Sequence, residues 1–488
     1  MDRPFDAADW QPTCPLEGHR RVAVDAKLPT LIANLAYQTK DVLIHPYNPL
    51  HWLQRSTTLL NLHYPELAVG DALKAQLLCE TLLQRLETSD QYRLGHCMGF
   101  WMLDETKRDE DLEKQRDWIR DVQSCAHELG QRSLYTGRRT GPYIPRPYPL
   151  MAAAHRTRND LLLETMNAEF AAQRRVDGKC MRQCIVQRNA FGVSPGSEDL
   201  LGVFATRDMQ AGTEMFVERA RTWGCIDPGE AGCRRNLSGD SGCTYHLHPN
   251  RPYIDSDPGY DLLWIRDRCG LRAALPIVRC RFLQCCIDDN VAHPLDHHLI
   301  ARLTPTYHRT NVIEFDLAED FAVMNEALQR CGIDIFANLA YDTWVLFTLD
   351  ARISNNAWTT PISQSVSALF SLFNHSCEPN VNWLPSRDHH SLVLSTSREV
   401  KSGEQLFVTY DGYVESGGLK ERRESLNRWF DGPCQCPRCL REEGEMAAAA
   451  AEGDLSRSGG GDDSNGAWDT GERPVLPEYD PSSDYYGW

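Results

Sequence analysis

Three thiols near the C-terminal end are spaced for metal chemistry. Cys434-Gln-Cys436-Pro-Arg-Cys439 sets them two and three positions apart, an arrangement that can present several thiolates to one borderline-soft cation. On these residues alone the alternative is three reduced cysteines at a surface. Upstream, Ser371-Leu-Phe-Asn-His-Ser-Cys-Glu-Pro-Asn380 gathers an amide, an imidazole, hydroxyls, a thiol and a carboxylate in one short stretch. Such a run suits polar recognition of a ligand, although a lone Asn-His pair is more often a turn. Between them, Gly403-Glu-Gln-Leu-Phe-Val-Thr-Tyr410 reads as a strand that ends in a tyrosine. An isolated tyrosine in that position is usually a core or surface aromatic.

Taken in order and at this spacing, Asn374-His375-Ser376-Cys377-Glu378-Pro379-Asn380, the strand to Tyr410 and the cysteine knuckle resemble the SET domain. That is the fold of the S-adenosylmethionine-dependent protein lysine methyltransferases. The likeness is to the branch that combines SET and MYND domains and to its fungal relatives, over about residues 180 to 440. Methyl transfer to lysine is an in-line displacement needing a neutral amine and aligned reactants, so a protein contributes positioning and electrostatics.

The resemblance implies a role for each matching residue. Gly202, Val203 and Phe204 match the stretch whose main chain cradles the cofactor's methionine end. A glycine there permits close backbone approach, but Leu200 stands where the family usually has a second glycine. Asn356 takes the place of an asparagine that contacts the methionine moiety, with Asn355 as the competing choice. Asn374 and His375 fall at cofactor-contacting positions, and Phe430 at that of an aromatic lying against the cofactor. Tyr410 matches the catalytic tyrosine, and Tyr413 is a candidate for the substrate-channel wall. Cys377 joins Cys434, Cys436 and Cys439 as the fourth ligand of a closed, structural zinc site. An aromatic channel suits the apolar stem of lysine, and desolvation there favours the neutral amine.

The elements around these motifs divide the 488 residues into parts. An N-terminal extension (1–27) precedes a helical domain (28–135), where Asn48-Pro49 reads as a helix start and Tyr64-Pro65-Glu66 as a break. The spacing of Trp52, Ala68, Ala72 and Ala75 resembles one tetratricopeptide helix pair, with an ordinary helical hairpin as the alternative. The run Gly141–Pro149 forbids helix and is expected to be an interdomain connector within a linker and connecting helix (136–179). Short strands follow in the first SET part (180–220). An insert (221–333) comes next, in which Cys225, Cys233, Cys243, His246 and His248 read as an eroded zinc finger. The second SET part (334–417) and a post-SET zinc segment (418–440) follow it. A disordered acidic tail (441–488) is expected at the end, because Ala, Gly, Ser and acid bury little apolar area.

The expected fold is therefore α+β: a β-rich SET fold with knot-like C-terminal packing and a helical insert, preceded by the tetratricopeptide-like helices. The net charge of −17 argues against general affinity for a phosphate backbone and is compatible with a basic protein partner. No apolar run is long enough to span a membrane, and the N-terminus lacks a signal-peptide pattern. The eighteen cysteines of a chain expected to be intracellular (nucleus or cytoplasm) read as thiols and metal ligands before disulfides. The expected function is methyl transfer from S-adenosylmethionine to a lysine of a protein, histone or not, by a monomer with structural zinc. A further protein partner is expected at the N-terminal helices. The alternative is an inactive SET-fold scaffold.

Overall fold

A computed structural model describes residues 27–87, 108–133, 140–143, 145–173, 183–188, 200–225, 263–304, 313–316, 320–360, 363–386, 391–411, 417–427, 429–430 and 432–457. Four helices lead the described residues: α1 (Leu28–Ile44), α2 (Pro49–Asn61), α3 (Pro65–Glu87) and α4 (Arg108–Ser133). Asn48 caps α2 by accepting from the Leu50 N–H at 3.0 Å, with Pro49 at the first helical position. His63, at φ 60°, makes the left-handed turn before Pro65 starts α3. Trp52 lies buried among Val42, Ala75, Leu78 and Ala126. The charged α4 turns Ile119, Val122 and Ala126 inward.

Then come β1 (Thr140–Tyr143), α5 (Asp160–Ala172), β2 (Cys184–Arg188), β3 (Leu201–Ala205), β4 (Glu214–Arg219) and β5 (Thr222–Cys225). The insert contributes α6 (Leu263–Cys269), α7 (Ala274–Asp288), α8 (His298–Ala301), β6 (Ile313–Asp316) and α9 (Ala322–Arg330). After α10 (Thr343–Asn356) lie β7 (Trp358–Thr360), β8 (Ser363–Val366), β9 (Asn374–His375), β10 (Val381–Pro385), β11 (Ser391–Thr396) and β12 (Gln405–Val408). Helices α11 (Leu419–Leu426) and α12 (Pro437–Arg457) close the described chain. The sheets are small, with orders β2-β3-β12-β9, β10-β11-β4, β5-β8-β7 and β1-β6. The class is α+β, a sheet-rich part preceded by helices. No helix among the described residues is long and apolar enough to cross a membrane.

One core joins β2, β3, β4, β11 and β12 to Met166 and Phe170 of α5. A second is shared: Leu28, Leu35, Leu59 and Leu67 of the first helices pack in one cluster with Phe282 of α7 and Trp344, Val345 and Phe347 of α10. The first helices are thus built into the insert and α10. The expected connector at 141–149 is corrected accordingly. Its prolines do exclude helix, but β1 pairs antiparallel with β6, and Tyr143 and Tyr148 are buried. The Tyr143 hydroxyl donates to Asp350 at 2.6 Å. Arg146 is sealed between Glu66, 2.9 Å away, and the ring of Tyr64. The expected loss of order from 441 is corrected for 441–457, which are helical: the alanine run at 447–451 is the strongest helix-forming composition available.

A buried charge cluster pins the first helices to α10. Arg55 donates to Asp71 at 2.7 and 2.8 Å and to Asp342 at 3.0 Å, and Lys74 donates to Asp342 at 3.1 Å. Both cations lie over the Trp52 ring. Asp342 also caps α10 through the Thr343 N–H. Burial alone would raise its carboxyl, but Arg55 and Lys74 outweigh that and hold it at about 2. Asp342→Asn strands the Lys74 ammonium, and a loss of about 3–5 kcal/mol in denaturant melts is expected. Asp342→Asn with Lys74→Met should recover much of it. A loss below about 1 kcal/mol for the single variant would show that the cluster does not hold the helices.

Candidate functional site

The site grows out of a change of neighbours along β12. Its first half pairs antiparallel with β3 (Gln405 opposite Phe204, Leu406 opposite Val203), and its second half pairs parallel with β9 (Phe407 opposite Asn374, Val408 opposite His375). Asn380 fixes the crossover: its amide donates to the Gln405 carbonyl at 2.9 Å and accepts from the Phe407 N–H at 2.7 Å. Where the β3 ladder ends, the Asn374 amide donates to the Leu201 carbonyl at 3.0 Å. The start of β3, just before Gly202, is thus bonded directly to Asn374, while Val203 and Phe204 continue inside the sheet between β2 and β12.

His375 is buried and uses both ring nitrogens. Nδ1 accepts from the Tyr410 N–H at 3.0 Å, which leaves the proton on Nε2, 3.3 Å from the Cys377 sulfur. Burial pushes its pKa down to about 4, so the ring is neutral. The Tyr410 hydroxyl donates to the Phe373 carbonyl at 3.0 Å, and burial pushes its pKa up. Around it stand the rings of His375 at 5.3 Å, Trp429 at 5.8 Å and Phe430 at 6.0 Å. Trp429 was not singled out from sequence, though it adjoins Phe430. Trp383, likewise missed, donates its indole N–H to the Thr409 carbonyl and packs on Phe370.

Four buried thiols close the far side. The Cys377 sulfur is 3.9 Å from that of Cys434 and 3.6 Å from that of Cys439, and Cys436 completes a group whose sulfurs all lie within 4.8 Å of one another. Zinc–sulfur bonds of ~2.3 Å in a tetrahedron require sulfurs about 3.8 Å apart, so the cluster has the size for such an ion. The local sequence explains the convergence. Gly432, at φ 116°, turns the chain, and Pro437 starts α12 so that Cys439 rides its first turn.

The Asn356 amide donates to the carbonyls of Thr304 and Arg352, and that of Asn355 also reaches Thr304, so both side chains are engaged at the end of α10. Tyr413, Cys233, Cys243, His246 and His248 lie outside the described residues, as does the side chain of Cys225. His293 and His297 are caps: their Nδ1 atoms accept the N–H groups of Leu295 and Leu299 at 3.2 Å. Buried Cys184 and Cys285 have thiols pushed up by burial, to about 12 and about 11, and stay protonated.

Sequence reasoning also passed over Glu218. On β4 it is buried, and its carboxylate accepts the N–H groups of Leu369 and Phe370 at 2.7 and 2.8 Å. Those residues start the turn that delivers Phe373, the acceptor for Tyr410.

Residues 200–411 match the family model described as the SET domain. That segment is a SET domain. Among curated proteins, the chain is 39% identical over 128 residues to the histone-lysine N-methyltransferase SET5 of Yarrowia lipolytica, covering 25% of this chain and 27% of that one. It is 35% identical over 72 residues to the potential protein lysine methyltransferase SET6 of Saccharomyces cerevisiae, covering 15% and 18%. To the mouse histone-lysine N-methyltransferase SMYD3 it is 31% identical over 104 residues, covering 20% and 23%. The chain thus spans about a fifth to a quarter of the length of these curated relatives.

Burial pushes the Glu218 carboxyl up to about 7, against the pull of its two N–H donors. From its ordinary 4.5 up to about 7, the folded chain retains a proton that the unfolded chain has released. This group's contribution to stability is therefore complete below that window and lost as pH rises through it. Across the window, the stability of wild type measured relative to Glu218→Gln should fall with rising pH. A flat or rising wild-type-minus-variant value would contradict the assignment.

Proposed function

We propose that the chain is a protein-lysine methyltransferase dependent on S-adenosylmethionine. One observation carries this reading: within a SET domain, Asn374 is bonded to β3, its neighbour His375 stands among Tyr410 and Phe430, and a four-thiol cluster adjoins them. When bound, S-adenosylmethionine supplies the methyl group as an electrophile on a sulfonium. Gly202 keeps the backbone of β3 approachable beside Asn374, where the cofactor's polar end would lie. Because both nitrogens of His375 are engaged, its contribution comes through its backbone and ring face.

Tyr410, Trp429 and Phe430 would wall in the apolar stem of a substrate lysine. Their enclosure excludes water and so disfavours the charged ammonium, leaving the amine lone pair free. The Tyr410 hydroxyl, anchored on the Phe373 carbonyl, is the group we assign to orient that amine. Cys377, Cys434, Cys436 and Cys439 would hold zinc in a closed structural site with no open coordination position. The acidic balance of the chain suits a basic protein segment as substrate, as in histone tails.

Transfer of labelled methyl from S-adenosylmethionine to core histones and to a demethylated cell-protein mixture tests the reading. Tyr410→Phe should reduce transfer about 100-fold or more while calorimetric binding of S-adenosylmethionine persists. Equal transfer by the variant would remove Tyr410 from this role, and no cofactor binding by wild type would remove the enzyme. Elemental analysis of protein kept reduced should find about one zinc per chain, and Cys436→Ser should lower both metal content and melting temperature.

A further inference from the structure

A four-thiolate zinc site carries a net charge of about −2, and its burial is costly unless a cation or N–H donors compensate. All four cysteines here are at most 2% exposed. The neutral Nε2–H of His375 faces the Cys377 sulfur at 3.3 Å, and a guanidinium also meets the cluster at hydrogen-bond range. Nη2 of Arg422, a residue only 1% exposed on α11, lies 3.6 Å from the Cys439 sulfur. The same nitrogen is 2.6 Å from a Glu442 oxygen on α12, and Nη1 donates to the Gly417 carbonyl at 2.7 Å. Arg438, which also bonds Glu442, donates to the Cys377 carbonyl at 3.2 Å.

The geometry points to Arg422 as the charge-compensating partner of the thiolate cluster, a positioning residue that governs how tightly the metal is kept. The inference rests on the zinc reading above. An N–H donated to a metal-bound thiolate draws off part of its charge, which protects it from protonation and from electrophiles. Arg422 has the fork to do this while also bonding Glu442 and the backbone ahead of α11. A second bridge, Arg423 to Glu443 at 2.9 and 3.0 Å, joins the same two helices, so loss of Glu442 alone leaves them docked.

The rival role for Arg422 is a plain strut between α11 and α12. The two are separated with full-length, zinc-loaded protein, using zinc itself as the probe. Arg422→Met, Arg422→Lys and Glu442→Gln are each competed with a chromogenic zinc chelator at fixed pH, and thiol alkylation rates and melts are recorded alongside. Compensation predicts that Arg422→Met weakens zinc retention about 10- to 100-fold and speeds alkylation. Arg422→Lys, which keeps charge but loses the fork, should fall between, and Glu442→Gln should stay near wild type. If Arg422→Met does not fold, the Arg422→Lys result decides. Wild-type retention in both Arg422 variants overturns the proposal, as does equal weakening in all three with matching losses in melting temperature. Zinc-free wild-type protein would overturn the zinc reading itself, and this inference with it.

Discussion

The contact between Cys377 and the knuckle of Cys434 and Cys439 closes loops of 57 and 62 residues. Closing them has an entropic cost, and the material available to offset it is small. The cluster around the thiols holds Leu426 and Phe430 as its buried carbon side chains, with Tyr410, Leu419 and Trp429 only partly covered. So small a core does not order a segment unaided, and a structural metal is the usual remedy. Trp429 and Phe430, two of the rings facing Tyr410, sit on the stretch that this contact holds down. On the zinc reading proposed above, the enclosure of Tyr410 depends on sulfur chemistry, with ion pairs from Arg422, Arg423 and Arg438 in support.

The rest of the fold presents a rigid floor to that clamp. Asn380 and the parallel β9–β12 pairing set His375 beside Tyr410, and Glu218 braces the turn before Phe373 from a neighbouring sheet. Farther out, the first helices share their core with α7 and α10, and Asp342 stitches α2 and α3 to the start of α10.

What could be read from the sequence was local or carried by fixed spacing. The Asn48 cap, the break at Tyr64-Pro65, short strands within 180–220 and one ending at Tyr410, and the grouping of Cys377 with three later cysteines all follow from short-range chemistry or an ordered motif. Other features depend on partners far along the chain. Glu218 sits in a strand where a carboxylate reads as solvent-facing, and nothing nearby announces the N–H pair that receives it 151 residues later. Arg55 and Asp342, 287 positions apart, look like ordinary helix charges. The proline-rich stretch around Tyr143 read as a connector because its stiffness is visible in sequence and its burial is not. Asn356 matched by position, but its amide serves the end of α10.

The dependence of the pocket on its clamp is tested most directly by calorimetric titration with S-adenosylmethionine in three states: as purified with zinc, after chelation under reducing conditions, and after zinc is restored. Saturable binding to one site, abolished by chelation and regained with zinc, is the expected result. Binding that survives removal of the metal unchanged would contradict the account.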